Sequence, residues 1–294
     1  MGLVEYPESS DEDAAEPIAK RRRLSSPPAA VDKQAPPPLP VQFHDLYSGA
    51  ARVSSSDDPS LHGGRKRLVP HVEGNWAAHV YLEFHPSSSQ STLLTRLLSS
   101  LPHSASFTSL LSSNSVSLPL HISLSAPLTL RTNTKGTFHT ALAGSLHRLL
   151  PSLGTRTGSL TVSPSDLAWH PNAKGTRSFL VLAVSRPKED ASALNRLLAC
   201  ANKVASDFDQ IQLYTNPSAS AEQGDVSEKF HISIAWSLDG DAKLDRVSEQ
   251  TEELLDEVRG MRISFRDVKI KIGRDVTSVP FAASKTRQTS GLLR

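Results

Sequence analysis

The stretch LPLHISLS, residues 118–125, recurs in shorter form as FHISIAW at residues 230–236. Polar and apolar residues alternate in both copies, and this period of two predicts a β-strand with His and Ser on one face and apolar residues on the other. His121 and His231 stand 110 residues apart, about the length of one α+β lobe. We therefore expect two related strands, one in each half of the fold.

A single His-x-Ser tripeptide is weak evidence, because the chain has 11 histidines and most such residues are ordinary strand residues. A third match, His85-Pro86-Ser87, has a proline at its centre and cannot hold a central strand position. The two remaining copies share Ile and a following Leu or Ile as well as the tripeptide. This matched pair favours a site at which two imidazoles and two hydroxyls converge.

These residue types suit the cleavage of a phosphodiester. One neutral imidazole can take the proton from a ribose 2′-hydroxyl, while a charged imidazole protonates the departing 5′-oxygen. Ser123 and Ser233 follow each histidine on the same strand face, where they can donate hydrogen bonds to the non-bridging oxygens. The expected product is a 2′,3′-cyclic phosphate, formed without a metal ion.

Paired His-x-Ser strands resemble the signature of the 2H phosphoesterase superfamily. Within it the chain is most similar to the U6 small nuclear RNA phosphodiesterases, on three further stretches: residues 67–81 with Gly74-Asn75-Trp76, Ala235-Trp236 after the second motif, and VKIKIG at 268–273. This resemblance implies the 2H phosphoesterase fold, an α+β architecture of two pseudo-symmetric lobes with facing antiparallel sheets and flanking helices.

The resemblance also implies a function. A member of this family would be a metal-independent 3′ to 5′ exoribonuclease that trims uridines or adenosines from the U6 RNA end, without a cofactor and as a monomer in the nucleus. His121 and His231 would be the catalytic pair, with Ser123 and Ser233 binding phosphate. In one respect the chain departs from the pattern, since animal relatives carry a base-stacking Tyr just before the second motif, whereas residues 224–229 contain no aromatic residue.

Other residues could contact RNA bases or backbone. Tyr214, Trp169 and Trp236 could stack on a base, although each is more often a core or strand-end aromatic. Three basic residues could meet the phosphate backbone, although isolated basic residues are usually solvated; they are Lys174, Arg177 and Lys229.

Composition divides the chain into three parts. Residues 1–66 mix acidic, basic, proline-rich and serine-rich segments and predict a disordered tail, in which Lys20–Arg23 resembles a nuclear localisation signal. We expect one folded domain at 67–281, with lobes at about 67–157 and 158–281, and a flexible tail at 282–294. A single cysteine, Cys200, rules out a disulfide framework, and no apolar run approaches the length of a membrane span.

Periodicity predicts the main elements of both lobes. Strands are expected at 77–84, 118–125, 159–162, 178–185, 230–236 and within 263–272, and helices at 89–101, 136–150, 190–206 and 243–259, the last ending at Gly260. The sequence lacks a His-Glu-x-x-His motif or a cysteine cluster, so it gives no support for a zinc site.

Two alternatives remain open at this stage. The same histidines could act on water and open 2′,3′-cyclic ends of another RNA, and sequence does not decide whether the reaction stops at the cyclic product. A non-catalytic protein that binds RNA ends is the other alternative, but it would have no need of a matched acid and base.

Overall fold

The computed structural model describes residues 72–102, 106–113, 116–153, 158–172, 174–185, 192–215, 225–244 and 248–281. The predicted tails at 1–66 and 282–294, with the basic cluster Lys20–Arg23, lie outside the described residues. Within the described part, no helix has both the length and the apolar character needed to cross a bilayer.

The first sheet is built around its longest strand, β1. Antiparallel neighbours flank β1 in the order β12-β11-β1-β5, and β6 pairs with the opening residues of β1 on the same side as β5. Alternate residues of β1 point into the core, where Val80, Leu82 and Phe84 are buried. The strands are β1 Asn75–Phe84, β5 Leu120–Ser123, β6 Leu128–Arg131, β11 Asp267–Ile272 and β12 Asp275–Pro280.

The second sheet is also antiparallel, in the order β10-β7-β8-β9-β2. Its central strands are rich in β-branched and other apolar residues, and Leu180, Leu182 and Ile232 are fully buried. The strands are β2 Thr108–Ser109, β7 Leu160–Pro171, β8 Ser178–Ser185, β9 His231–Ser237 and β10 Ile263–Phe265; a separate two-stranded ribbon joins β3 Ser112–Ser113 and β4 Val116–Ser117.

The described part of the chain contains four α-helices, which pack in two pairs, α1 against α4 and α2 against α3. They are α1 Ser88–Ser100, α2 Lys135–Leu149, α3 Ala193–Asp207 and α4 Glu249–Arg259. The leucines at helical spacing are buried at Leu94, Leu97 and Leu98 of α1 and at Leu194, Leu197 and Leu198 of α3. Ser87, from the discarded third motif, is the N-cap of α1 and makes a capping box with Gln90.

The α+β class with two antiparallel sheets is confirmed, and several element bounds differ from prediction; β7 runs to Pro171, beyond the predicted 159–162, and β5 is shorter than the predicted 118–125. The predicted start of the last helix at Lys243 is wrong, because the helix begins at Glu249, after Ser248 caps it by accepting a hydrogen bond from the Thr251 amide. The segment 263–272 also divides at Arg266 into β10 and β11, which belong to different sheets.

Each sheet takes strands from both halves of the chain. β11 and β12 follow the second His strand in sequence but complete the first sheet, whereas β2 precedes β7 and extends the second. The strand order therefore does not divide the sheets at residue 157.

Candidate active site

β5 fixes the first His-x-Ser motif on the open face of the first sheet. Leu120 and Ile122 are buried, so the alternation of the strand turns His121 and Ser123 to the other face. In the antiparallel register His121 lies opposite Glu83 of β1, and Ser123 lies opposite Tyr81.

β9 fixes the second motif in the same way. Ile232 and Ile234 are fully buried, while His231 and Ser233 are half-buried on the opposite face. The register between β8 and β9 shifts directly after Ser233, so the strict alternation of the strand ends there, and Ala235 and Trp236 are both buried.

The two motifs meet although they belong to different sheets. β5 and β9 contact one another, and the charge of His231 acts on His121 strongly enough to lower its pKa. Residues 110 positions apart in sequence thus place two imidazoles within electrostatic reach of each other.

Several groups set the protonation of His121. The residue is exposed, yet protein surrounds its ring closely enough that loss of hydration is the largest influence lowering its pKa. Positive charge on His231 and Lys271 lowers the pKa further, whereas Glu83 raises it. His121 therefore holds its proton less tightly than a free histidine.

The His231 ring is oriented by the backbone just before it. Its Nδ1 lies 2.8 Å from the carbonyl oxygen of Lys229, and because a carbonyl can only accept, Nδ1 carries the donated proton. Burial lowers the pKa of His231, the Lys229 hydrogen bond raises it, and His170 lowers it. This arrangement leaves Nε2 as the nitrogen that can exchange a proton with a substrate.

Sequence reasoning missed three aromatic neighbours of the pair. His79 Nε2 lies 3.2 Å from the Ser123 hydroxyl oxygen, and its ring stacks on Tyr81 and meets His121 edge-on at 5.3 Å. On the second sheet, the His170 ring meets His231 at 5.4 Å between centroids. The alternation of His79, Tyr81 and Glu83 with apolar residues in β1 was the available signal.

A buried charge network lies beside the first motif. Lys269 of β11 is 3% exposed, donates to the Ser278 hydroxyl at 2.7 Å, and forms ion pairs with Glu83 at 3.8 Å and Asp267 at 3.6 Å. Glu83 also contacts His85 at 3.1 Å. Because the Glu83 carboxylate raises the pKa of His121, the buried charges around Lys269 affect the protonation of the candidate catalytic residue.

The three aromatic residues predicted to stack on bases pack within the protein. The Tyr214 ring meets Phe230 edge-on, and burial raises the pKa of the Tyr214 phenol to about 12. Trp169 packs against Phe107, while its neighbour His170 turns to His231. Trp236 is buried.

The basic residues predicted to contact RNA have separate positions. Lys174 is exposed in the turn between β7 and β8. Arg177 lies over the rings of Phe179 and Trp236, and the Lys229 ammonium group lies 5.9 Å from the centroid of the Tyr214 ring. Among the described residues, no group of three or more His, Cys, Asp or Glu side chains could hold a metal ion.

The chain is similar to several known proteins. The family model HVSL, described as an uncharacterised conserved protein, matches residues 37–280. U6 snRNA phosphodiesterase 1 of Neurospora crassa is 33% identical, with 90% of this chain and 81% of that protein covered. The Homo sapiens protein of the same name is 28% identical, with coverages of 95% and 97%. A solved structure of Kluyveromyces marxianus Usb1 with uridine monophosphate is 16% identical and has a TM-score of 0.47, over 69% of this chain and 97% of that one.

Proposed function

Because this chain belongs to the U6 snRNA phosphodiesterase family, we propose that it is an RNA phosphodiesterase that trims the 3′ end of U6 snRNA. The names of its relatives support U6 snRNA as the substrate. We propose further that it removes nucleotides in the 3′ to 5′ direction from a single-stranded oligo(U) or oligo(A) end, as a monomer in the nucleus, with residues 67–281 as the catalytic domain.

One observation supports the proposed chemistry most directly. The His-x-Ser strands β5 and β9 come from different sheets and contact each other, and the charge of His231 lowers the pKa of His121. Two imidazoles within electrostatic reach of each other can divide the roles of proton acceptor and proton donor. A pair of this kind can serve both sides of one phosphodiester.

In the proposed reaction one imidazole accepts the proton of the 2′-hydroxyl, and that oxygen attacks the adjacent phosphorus. The P–O5′ bond breaks, and the other imidazole donates a proton to the leaving 5′-oxygen. Ser123 and Ser233 would donate hydrogen bonds to the non-bridging oxygens as negative charge develops. The trimmed RNA then ends in a 2′,3′-cyclic phosphate, which water can open to a monophosphate.

The test is incubation of a uridine-tailed RNA with wild type, His121→Ala and His231→Ala, followed by mass spectrometry of the new 3′ ends. We expect shortening by wild type in the presence of EDTA, and loss of activity by a factor of about 10² or more in either variant. His147→Ala, on the exposed face of α2, is the control and should remain active.

A second substrate distinguishes attack by the ribose 2′-hydroxyl from attack by water. An RNA with a 2′-deoxy sugar at the penultimate position lacks the internal hydroxyl, so wild type should not remove its last nucleotide. Removal at the normal rate would show that water is the nucleophile, and unchanged turnover by both histidine variants would reject the proposed function.

A further inference from the structure

His79 is a half-buried histidine that has no role in the proposed reaction of His121 and His231. It lies on β1, directly opposite Lys271 of β11, and its Nε2 is 3.2 Å from the Ser123 oxygen. Its ring stacks on Tyr81 at 5.2 Å between centroids and meets His121 nearly perpendicularly at 5.3 Å, and the Tyr81 and His121 rings are 5.6 Å apart. One side chain thus contacts both polar residues of the first motif.

The surroundings of His79 keep its ring uncharged. Burial, His121 and Lys271 lower its pKa to about 3, so the imidazole is neutral throughout the range in which an enzyme works. A neutral imidazole has one N–H and one acceptor nitrogen. A backbone hydrogen bond to Ser125 raises the pKa, which is the effect of a ring that donates to a carbonyl. With that proton directed to Ser125, Nε2 is left to accept from the Ser123 hydroxyl.

We propose that His79 is a positioning residue for RNA cleavage, which fixes the Ser123 oxygen through a hydrogen bond and supports the His121 ring edge-on. This inference rests on the proposed function, because Ser123 matters only if it contacts the phosphate. His79 transfers no proton in the reaction. Its contribution is to remove the rotational freedom of Ser123 and His121 before the substrate arrives.

The position of the oxygen matters more than the direction of its hydrogen. The Ser123 hydroxyl has one hydrogen, which a bound phosphate oxygen can receive only by replacing His79 as the acceptor, so the hydrogen bond to His79 acts before the substrate is bound. The location of the oxygen depends on the Ser123 rotamer, and a ring 3.2 Å away stabilises one rotamer over the others. The second motif has no equivalent contact among the described hydrogen bonds, so the two serines are not held alike.

Two substitutions separate the hydrogen bond from the ring. His79→Phe keeps a ring beside Tyr81 and His121 but has no nitrogen, whereas His79→Gln keeps a polar atom near the position of Nε2 and loses the ring. We expect His79→Phe to lower kcat by about tenfold or more with little change in KM, and His79→Gln to retain more activity than His79→Phe. His147→Phe, the same change on an exposed helix face, should have no effect.

A double-mutant cycle then distinguishes positioning from a general effect on the fold. If His79 acts through Ser123, His79→Phe should cause no further loss when it is added to Ser123→Ala. Equal turnover by wild type and His79→Phe would overturn the inference, and so would the same tenfold loss in the Ser123→Ala background. An inactive wild type would instead reject the proposed function.

A spectroscopic measurement on the active wild type keeps the inference testable if His79→Phe does not fold. Long-range ¹H–¹⁵N spectra report which ring nitrogen carries the proton. We expect His79 Nε2 to remain unprotonated between pH 5 and 8 and to shift when Ser123 is replaced by Ala. A titration of His79 near pH 6.5, or a spectrum unaffected by Ser123→Ala, would overturn the assignment.

Discussion

Acid should destabilise this protein through His79, and the size of the effect follows from its surroundings. The pKa of this residue is 6.5 in an unfolded chain and about 3 in the folded protein. Below pH 6.5 His79 binds a proton in the unfolded chain, whereas in the folded protein it binds one only at about pH 3. The stability that depends on a neutral His79 is therefore complete above pH 6.5 and is lost as the pH falls towards 3.

Between pH 7 and pH 5 this difference amounts to about 2 kcal/mol of unfolding free energy. The perturbation is His79→Gln, which has no titratable group, so comparison of the two proteins cancels the contribution of every other residue. Urea unfolding at both pH values can be followed by the fluorescence of the 3 tryptophans. We expect wild type to lose about 2 kcal/mol more than the variant on acidification. Equal losses in the two proteins would refute the reasoning.

Three other predictions concern activity and packing. Because the pKa values of both His121 and His231 are lowered, the maximum of kcat/KM against pH should lie below about 6.5, and a maximum above pH 7.5 would contradict this. Lys269→Ala should lower stability in urea by about 3 kcal/mol, since it removes the buried ammonium group that pairs with the Glu83 carboxylate, whose side chain is 9% exposed; a loss under 1 kcal/mol would show that water replaces the ammonium group. Gly240→Ala would bring a methyl group into steric overlap with the backbone carbonyl of Gly175 and should cost about 2 kcal/mol, whereas Gly136→Ala, with nothing within 4 Å, should be neutral or stabilising.

The sequence allowed the two His strands to be predicted, because each depends on local alternation. Ile122 and Ile232 must be buried, and the pleat then turns His121 and His231 to the opposite face. Which face of the molecule they share is not a local property. It depends on the contact between β5 and β9. The repeat suggested that contact only indirectly, because two matched His-x-Ser motifs would form a catalytic site if they met.

The neighbours of the pair were harder to predict for a related reason. His79 reaches Ser123 only because β1 and β5 pair in a particular antiparallel register. His170 of β7 contacts His231 of β9 in the second sheet. The periodicity predicted only the beginning of β7, at residues 159–162, so that His170 lay outside the predicted strand. Contacts between strands depend on register and twist, which a single sequence does not specify.

The sequence marks a break between β10 and β11, because apolar residues stand at positions 263 and 265 and then at 268, 270 and 272, so that the alternation changes phase at Arg266-Asp267. It does not show that Ile263–Phe265 pair with β7 while Asp267–Ile272 pair with β1. Periodicity reports which face of a segment is buried and does not report against which sheet.

The late position of β11 in the chain affects how the protein is made. β1 must wait for a partner that the ribosome supplies about 180 residues later, and contacts of such long range are slow to form. During synthesis the apolar face of β1 therefore has no complete sheet, and a nascent chain that stops before residue 267 exposes it to aggregation or to chaperones. The first imidazole acquires its Lys271 neighbour only after β11 has emerged from the ribosome.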